Sequence, residues 1–158
     1  MHHLIQQLSE RLTQRHWMLA TAESCTGGMI ASKCTDMAGS SLWFDRGFVT
    51  YSNRSKSNML GVPEQLIVEH GAVSEPVAKA MALGAIYRSD STVSIAVTGV
   101  AGPSGGSLVK PIGTVWIAWC IDGQIHSELQ TFSGDRDEIR QATTDWALDG
   151  LMNRLPAV

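Results

Sequence analysis

A serine stands at position 24 in the run Glu23-Ser24-Cys25-Thr26-Gly27-Gly28, between an apolar stretch and a segment of helical composition. A hydroxyl at a strand-to-helix turn lies beside the unsatisfied N–H groups of the helix, which can hold an oxyanion or a phosphate. Such a serine could attack an acyl carbon, with Thr26, Gly27 and Gly28 shaping the turn around the bound group. It could equally be an ordinary capping serine with glycines for close packing. The run matches neither G-x-S-x-G nor G-x-x-x-x-G-K-[ST], so neither a hydrolase elbow nor a P-loop is indicated. A second set, Tyr51-Ser52-Asn53-Arg54-Ser55-Lys56, places a phenol and an amine five residues apart. A desolvated lysine gives up its proton more readily and can serve as the base for a serine without histidine. The alternative for Lys56 is a solvated helix lysine.

The glycine-rich stretch Thr98-Gly99-Val100-Ala101-Gly102-Pro103-Ser104-Gly105-Gly106 follows an apolar run. Open α/β sheets place ligands at such strand ends, and Gly99, Ala101 and Gly102 could bring backbone N–H groups onto an anion, with Lys110 adding charge. A mobile surface loop is the competing reading. In Ser133-Gly134-Asp135-Arg136 the residues either cap the last helix or let Arg136 clamp a phosphate. No H-x-E, H-E-x-x-H or C-x-x-C spacing occurs, so a metal site has little support.

The elements that must carry these residues follow from periodicity. Leu4, Ile5, Leu8 and Leu12 predict an amphipathic helix over the first fifteen residues. Trp17 to Ala22 predicts a buried strand, Met29 to Cys34 a helix, and Trp43 to Tyr51 a second strand. Short helices are expected from Ser52 to Gly61 and from Pro63 to Gly71. Ser74 at an N-cap with Pro76 in the first turn predicts a helix to Tyr87. Thr92 to Val97 reads as a strand, Thr98 to Gly113 as a long loop and Thr114 to Ile121 as a buried strand. Asp122-Gly123 turns a hairpin into Ile125 to Phe132, and Asp137 to Leu155 forms the closing helix. Helices interleaved with strands plus one hairpin indicate an α/β fold, a three-layer α/β/α single domain with a mixed sheet over residues 1–158.

Composition narrows the classes further. The chain has 158 residues, 12 Lys+Arg against 15 Asp+Glu and 44% hydrophobic residues. The slightly acidic balance, without a basic run, argues against nucleic acid as a partner. No apolar stretch approaches the ~20 residues that a membrane helix needs. Cys25, Cys34 and Cys120 are odd in number and sit in apolar or helical contexts, which predicts buried free thiols. The N-terminal residues show no basic and apolar leader pattern, so a cytoplasmic location is expected.

Together, Ala22-Glu23-Ser24-Cys25-Thr26-Gly27-Gly28, Thr50-Tyr51-Ser52-Asn53 with Lys56, Leu60-Gly61-Val62, His70-Gly71-Ala72-Val73-Ser74-Glu75, Thr98-Gly99-Val100-Ala101-Gly102-Pro103, Lys110-Pro111-Ile112-Gly113-Thr114-Val115 and Ser133-Gly134-Asp135-Arg136 form an ordered pattern. From about Thr21 to Leu151 it resembles the C-terminal domain of the competence-damage-inducible protein A (CinA) family. The resemblance implies a three-layer α/β fold, a homodimer and serine chemistry with no metal or other cofactor. Stand-alone members are nicotinamide mononucleotide amidohydrolases, which yield nicotinate mononucleotide and ammonia in pyridine nucleotide recycling. By position it implies a polar centre of Ser24, Ser41, Tyr51, Lys56 and Thr98, with either Ser24 or Ser41 as nucleophile. Ser104 and Ser107-Leu108-Val109 depart from the acidic or glycine-rich residues such loops often carry. The same motifs would also suit a paralogue that binds a nucleotide or a protein partner without hydrolysing it.

Overall fold

The computed structural model describes residues 1–157. Five strands, β1 (Leu19–Glu23), β2 (Phe44–Val49), β3 (Val93–Gly99), β4 (Thr114–Ile121) and β5 (Gln124–Thr131), form one sheet in the order β2-β1-β3-β4-β5. β2, β1 and β3 are parallel, while β4 and β5 add as an antiparallel hairpin. Six helices flank the sheet: α1 (His2–Arg15), α2 (Met29–Cys34), α3 (Asn53–Leu60), α4 (Glu64–His70), α5 (Glu75–Tyr87) and α6 (Arg136–Arg154). The predicted three-layer mixed α/β arrangement is the one observed.

Alternation along the strands sorts the core into two halves. One face presents Val93, Ile95, Val97, Val115, Ile117, Trp119 and Ile121 to α1, α2 and α6. The other presents Ala20, Ala22, Ala96, Ala118 and Cys120 to α3 and α5. Small strand residues and the alanine-rich α5 together bring helix and sheet close. At Gly84 an added Cβ would lie 2.1 Å from Leu60 O, so α5 and α3 touch backbone to backbone.

Local signals account for most boundaries. Asp122 and Gly123 both have positive φ, 48° and 84°, as the two-residue hairpin turn requires. Asp135 caps α6: its carboxylate accepts from Glu138 N, and Glu138 accepts from Asp135 N, closing a capping box. Ser74 occupies the N-cap of α5, but its hydroxyl donates to Gly71 O at 2.8 Å and does not cap the helix. The expected loop start at Thr98 is also corrected. β3 runs on to Gly99, because Thr98 and Gly99 pair with Trp116 and Val115 of β4. All three cysteines are buried free thiols, as expected.

Candidate active site

The parallel strands β1 and β3 end side by side, and the chain leaves β1 at Ser24. Ser24 N donates to Val97 O at 3.1 Å, which ties the start of the turn to the neighbouring strand. The turn continues through Gly27 and Gly28 at φ of 58° and 103°, values that glycine adopts without the Cβ clash. From outside, Arg140 of α6 donates through Nε to Cys25 O (3.0 Å) and through Nη2 to Thr26 O (3.2 Å). Among the described residues, neither Cys25 N nor Thr26 N donates to a backbone carbonyl.

Lys56 reaches the same point from α3. That helix is started by Ser52, whose hydroxyl accepts from Ser55 N at 3.1 Å. Lys56 is 1% exposed, and its Nζ lies 3.0 Å from both Ser24 Oγ and Thr50 O. No carboxylate pairs with it among the described residues. Burial therefore lowers its affinity for a proton below that of an ordinary lysine. The adjacent thiol is affected in the opposite sense: burial pushes Cys25 up to about 11, so it stays protonated at neutral pH. Of the two neighbouring side chains, the hydroxyl is the one that hydrogen-bonds to Lys56.

Ser24, Cys25, Tyr51, Asn53, Lys56, Ala72, Val73, Thr98, Gly99, Ala101 and Arg136 line a cleft of about 220 Å³. Tyr51 is 60% exposed at the rim, and its hydroxyl accepts from Arg136 Nη2 at 2.8 Å. Arg136 also donates to Gly102 O at 2.7 Å, so the start of α6 grips both the glycine loop and the phenol. Thr98 Oγ1 donates to Ala72 O at 2.9 Å on the opposite wall. Thr26 and Gly28 lie behind the cleft in the turn, and Gly27 packs toward Arg140.

Two sequence candidates lie elsewhere. Ser41 sits in the 3-10 turn before β2. Because β2 runs parallel to β1 with Phe44 beside Leu19, that turn is at the far end of the sheet from Ser24 within one chain. The fold therefore does not bring Ser41 into the polar centre that the resemblance implied. Lys110 does not enter the cleft either: its Nζ donates to His70 O at 2.9 Å and straps the loop to the end of α4. Conversely, Asn53, Ala72 and Val73 line the cleft although the sequence motifs containing them were not read as site residues, and Arg140 was not singled out at all. The helical spacing of Arg136 and Arg140 on one face of α6 was the available signal for the last of these. No group of three or more His, Cys, Asp or Glu side chains able to hold a metal occurs among the described residues.

A model of the CinA C-terminal domain matches residues 1–155. The chain belongs to the CinA C-terminal family. Among its curated relatives are proteins named nicotinamide-nucleotide amidohydrolase PncC. The one from Escherichia coli K12 is 48% identical over 149 residues, covering 94% of this chain and 90% of that one. The one from Pseudomonas putida is 50% identical and covers 94% and 93%. A CinA-like protein of Akkermansia muciniphila is also 50% identical, but the match spans only 34% of its length. The competence damage-inducible protein A structure from Klebsiella pneumoniae superposes with a TM-score of 0.94 at 37% identity, over 98% and 96% of the two chains. That of the competence/damage inducible protein CihA from Agrobacterium tumefaciens gives 0.92 at 44% identity, over 96% and 94%. The family assignment drawn from the ordered motifs is thus the one the whole chain supports.

Proposed function

We propose that this CinA-family chain is a nicotinamide-nucleotide amidohydrolase that converts nicotinamide mononucleotide to nicotinate mononucleotide and ammonia. The observation that carries the reading is the Ser24–Lys56 pair, a hydroxyl and a buried, unpaired amine 3.0 Å apart in a cleft at the strand ends. Amidohydrolase activity in close relatives of nearly the same length supports it.

In the free-amine form Lys56 accepts the Ser24 proton as Oγ attacks the carboxamide carbon. The carbonyl oxygen becomes an oxyanion, and the N–H of Cys25, which lines the cleft, is its donor. Lys56, now an ammonium, returns the proton to the departing nitrogen, with the Tyr51 hydroxyl at the rim relaying it. Ammonia leaves and an acyl-serine remains. Water, deprotonated by the same amine, attacks the ester, the proton passes from Lys56 to the departing Ser24 Oγ, and nicotinate mononucleotide is released. Arg136, Gly99 and Ala101 line the same cleft and are the groups assigned here to the nucleotide's 5′-phosphate.

With this reading go a single domain over residues 1–158 and a cytoplasmic location, both expected from the sequence pattern, and a homodimer as the working unit, expected from the resemblance. Among the described residues no helix is long and apolar enough to cross a membrane. The test is ammonia release from nicotinamide mononucleotide, with Ser24→Ala as the control. Turnover by the wild type that disappears in Ser24→Ala is expected. A wild type that releases no ammonia, or a Ser24→Ala variant at full rate, overturns the reading.

A further inference from the structure

Glu23 immediately precedes the candidate nucleophile and is 0% exposed, yet it has no cationic partner among the described residues. Its carboxylate is instead surrounded by donors. Oε1 accepts from Thr26 Oγ1 at 2.7 Å and from Ile30 N at 2.9 Å. Oε2 accepts from Thr21 Oγ1 at 3.2 Å and from Ala31 N at 3.0 Å. One acceptor-only group therefore binds the strand before Ser24, the turn after it and the first turn of α2. Its side chain does not line the cleft, so it makes no contact there with a substrate.

β2 closes over this network. An added Cβ at Gly47 would lie 2.8 Å from Thr21 Oγ1 and 3.1 Å from Ala31 Cβ, which leaves no room for a side chain. Glu23 also holds the adjacent strand by its backbone, since Glu23 O accepts from Thr50 N at 2.8 Å. The next carbonyl toward the site, Thr50 O, accepts from Lys56 Nζ. Glu23 thus meets the nucleophile's turn through its side chain and the base's anchoring residue through its backbone.

We propose that Glu23 is a positioning residue for amide hydrolysis, a buried carboxylate that sets Ser24 Oγ and the Cys25 N–H against the carboxamide without touching it. A carboxylate is needed there because four donors meet two oxygens, and two of those donors are backbone N–H groups that cannot reverse. Glutamine has the right size but supplies one acceptor oxygen and turns an NH2 group toward one of the N–H groups. The turn must then shift, and a displacement of ~1 Å at a reacting group costs on the order of 10²-fold in rate.

The inference rests on the amidohydrolase reading, and the experiment separates the two. Wild type and Glu23→Gln are compared for ammonia release from nicotinamide mononucleotide, with circular dichroism and cooperative melting to establish folding. The expected result is a folded variant with kcat lower by about 10²-fold and KM within about 3-fold of wild type. A folded variant with kcat within about 3-fold of wild type overturns the proposal, as does one whose KM rises while kcat is kept. If Glu23→Gln does not fold, Thr21→Val removes a single donor at a position away from the cleft. It is judged by the same split: a lower kcat at constant KM supports the proposal, and an unchanged kcat overturns it. Absence of ammonia release by the wild type would instead refute the functional reading.

Discussion

The two faces of the sheet are built from different materials. Toward α1, α2 and α6 the strands present branched and aromatic side chains, interlocked with Leu8, Leu12, Leu148 and Leu151. Toward α3 and α5 they present alanine and cysteine, and the helices make up the difference by approaching closely. The first face fills space with side-chain volume, whereas the second works by backbone proximity. The reactive amine comes from the second. Lys56 rides on α3, which leans on α5 at Gly84, so the position of the base depends on how closely two helices pack. Volume lost from the first face should cost stability, and volume added to the second should cost rate as well.

The most severe test of this contrast is removal of the base itself. Lys56→Met keeps the buried stem and should lower kcat by about 10²–10⁴-fold, the range for a lost general base. The pH dependence identifies the role. Burial disfavours the ammonium, so the free amine gains population as pH rises through a value below that of an ordinary lysine. Wild-type kcat/KM should climb along that limb, and the limb should be absent from the residual activity of Lys56→Met. A variant that keeps the same limb would assign it to another group.

A smaller effect, on stability alone, is expected from the first face. Leu148 is fully buried, and Leu148→Ala should cost about 2–5 kcal/mol in denaturant unfolding while leaving kcat near wild type at temperatures where the variant is folded. Gly84→Ala should cost less, about 1–3 kcal/mol for overpacking, but it should lower kcat because the displaced Leu60 shares α3 with Lys56. Equal kcat in the two variants at matched folded fraction would dissolve the distinction between the faces.

The sequence made the elements legible because their signals are local. The Leu4 to Leu12 period, the Met29 to Cys34 run and the Asp122-Gly123 turn each carry their own instruction, and each element formed where it was expected. Ser24, Tyr51 and Lys56 were legible as chemistry-bearing residues at chain turns and Thr98 through the family resemblance, and the fold gathers all four in one cleft. Less legible was what depends on register. The distance of Ser41 from Ser24 follows from the parallel pairing of β2 with β1, which no property of residues 39–43 encodes. Lys110 looked available because its charge stands beside a glycine loop. Its actual partner, the carbonyl of His70, is 40 residues away in the chain and carries no side-chain signature. The carboxylate of Glu23 was hidden for a related reason, since two of its four partners are backbone N–H groups.

Ser24 and Lys56 both lie between β1 and the end of α3, and the pairing of β2 with β1 brings the two segments together. The groups that would face the rest of a nucleotide, on the loop after β3 and at the start of α6, come from the second half of the chain. Bond breaking and ligand choice are thereby written in separate stretches of sequence. The later stretch can be redesigned toward other carboxamides as long as it keeps the bonds that hold the earlier one, from Ser24 N to Val97 O and from Arg140 to the Cys25 and Thr26 carbonyls.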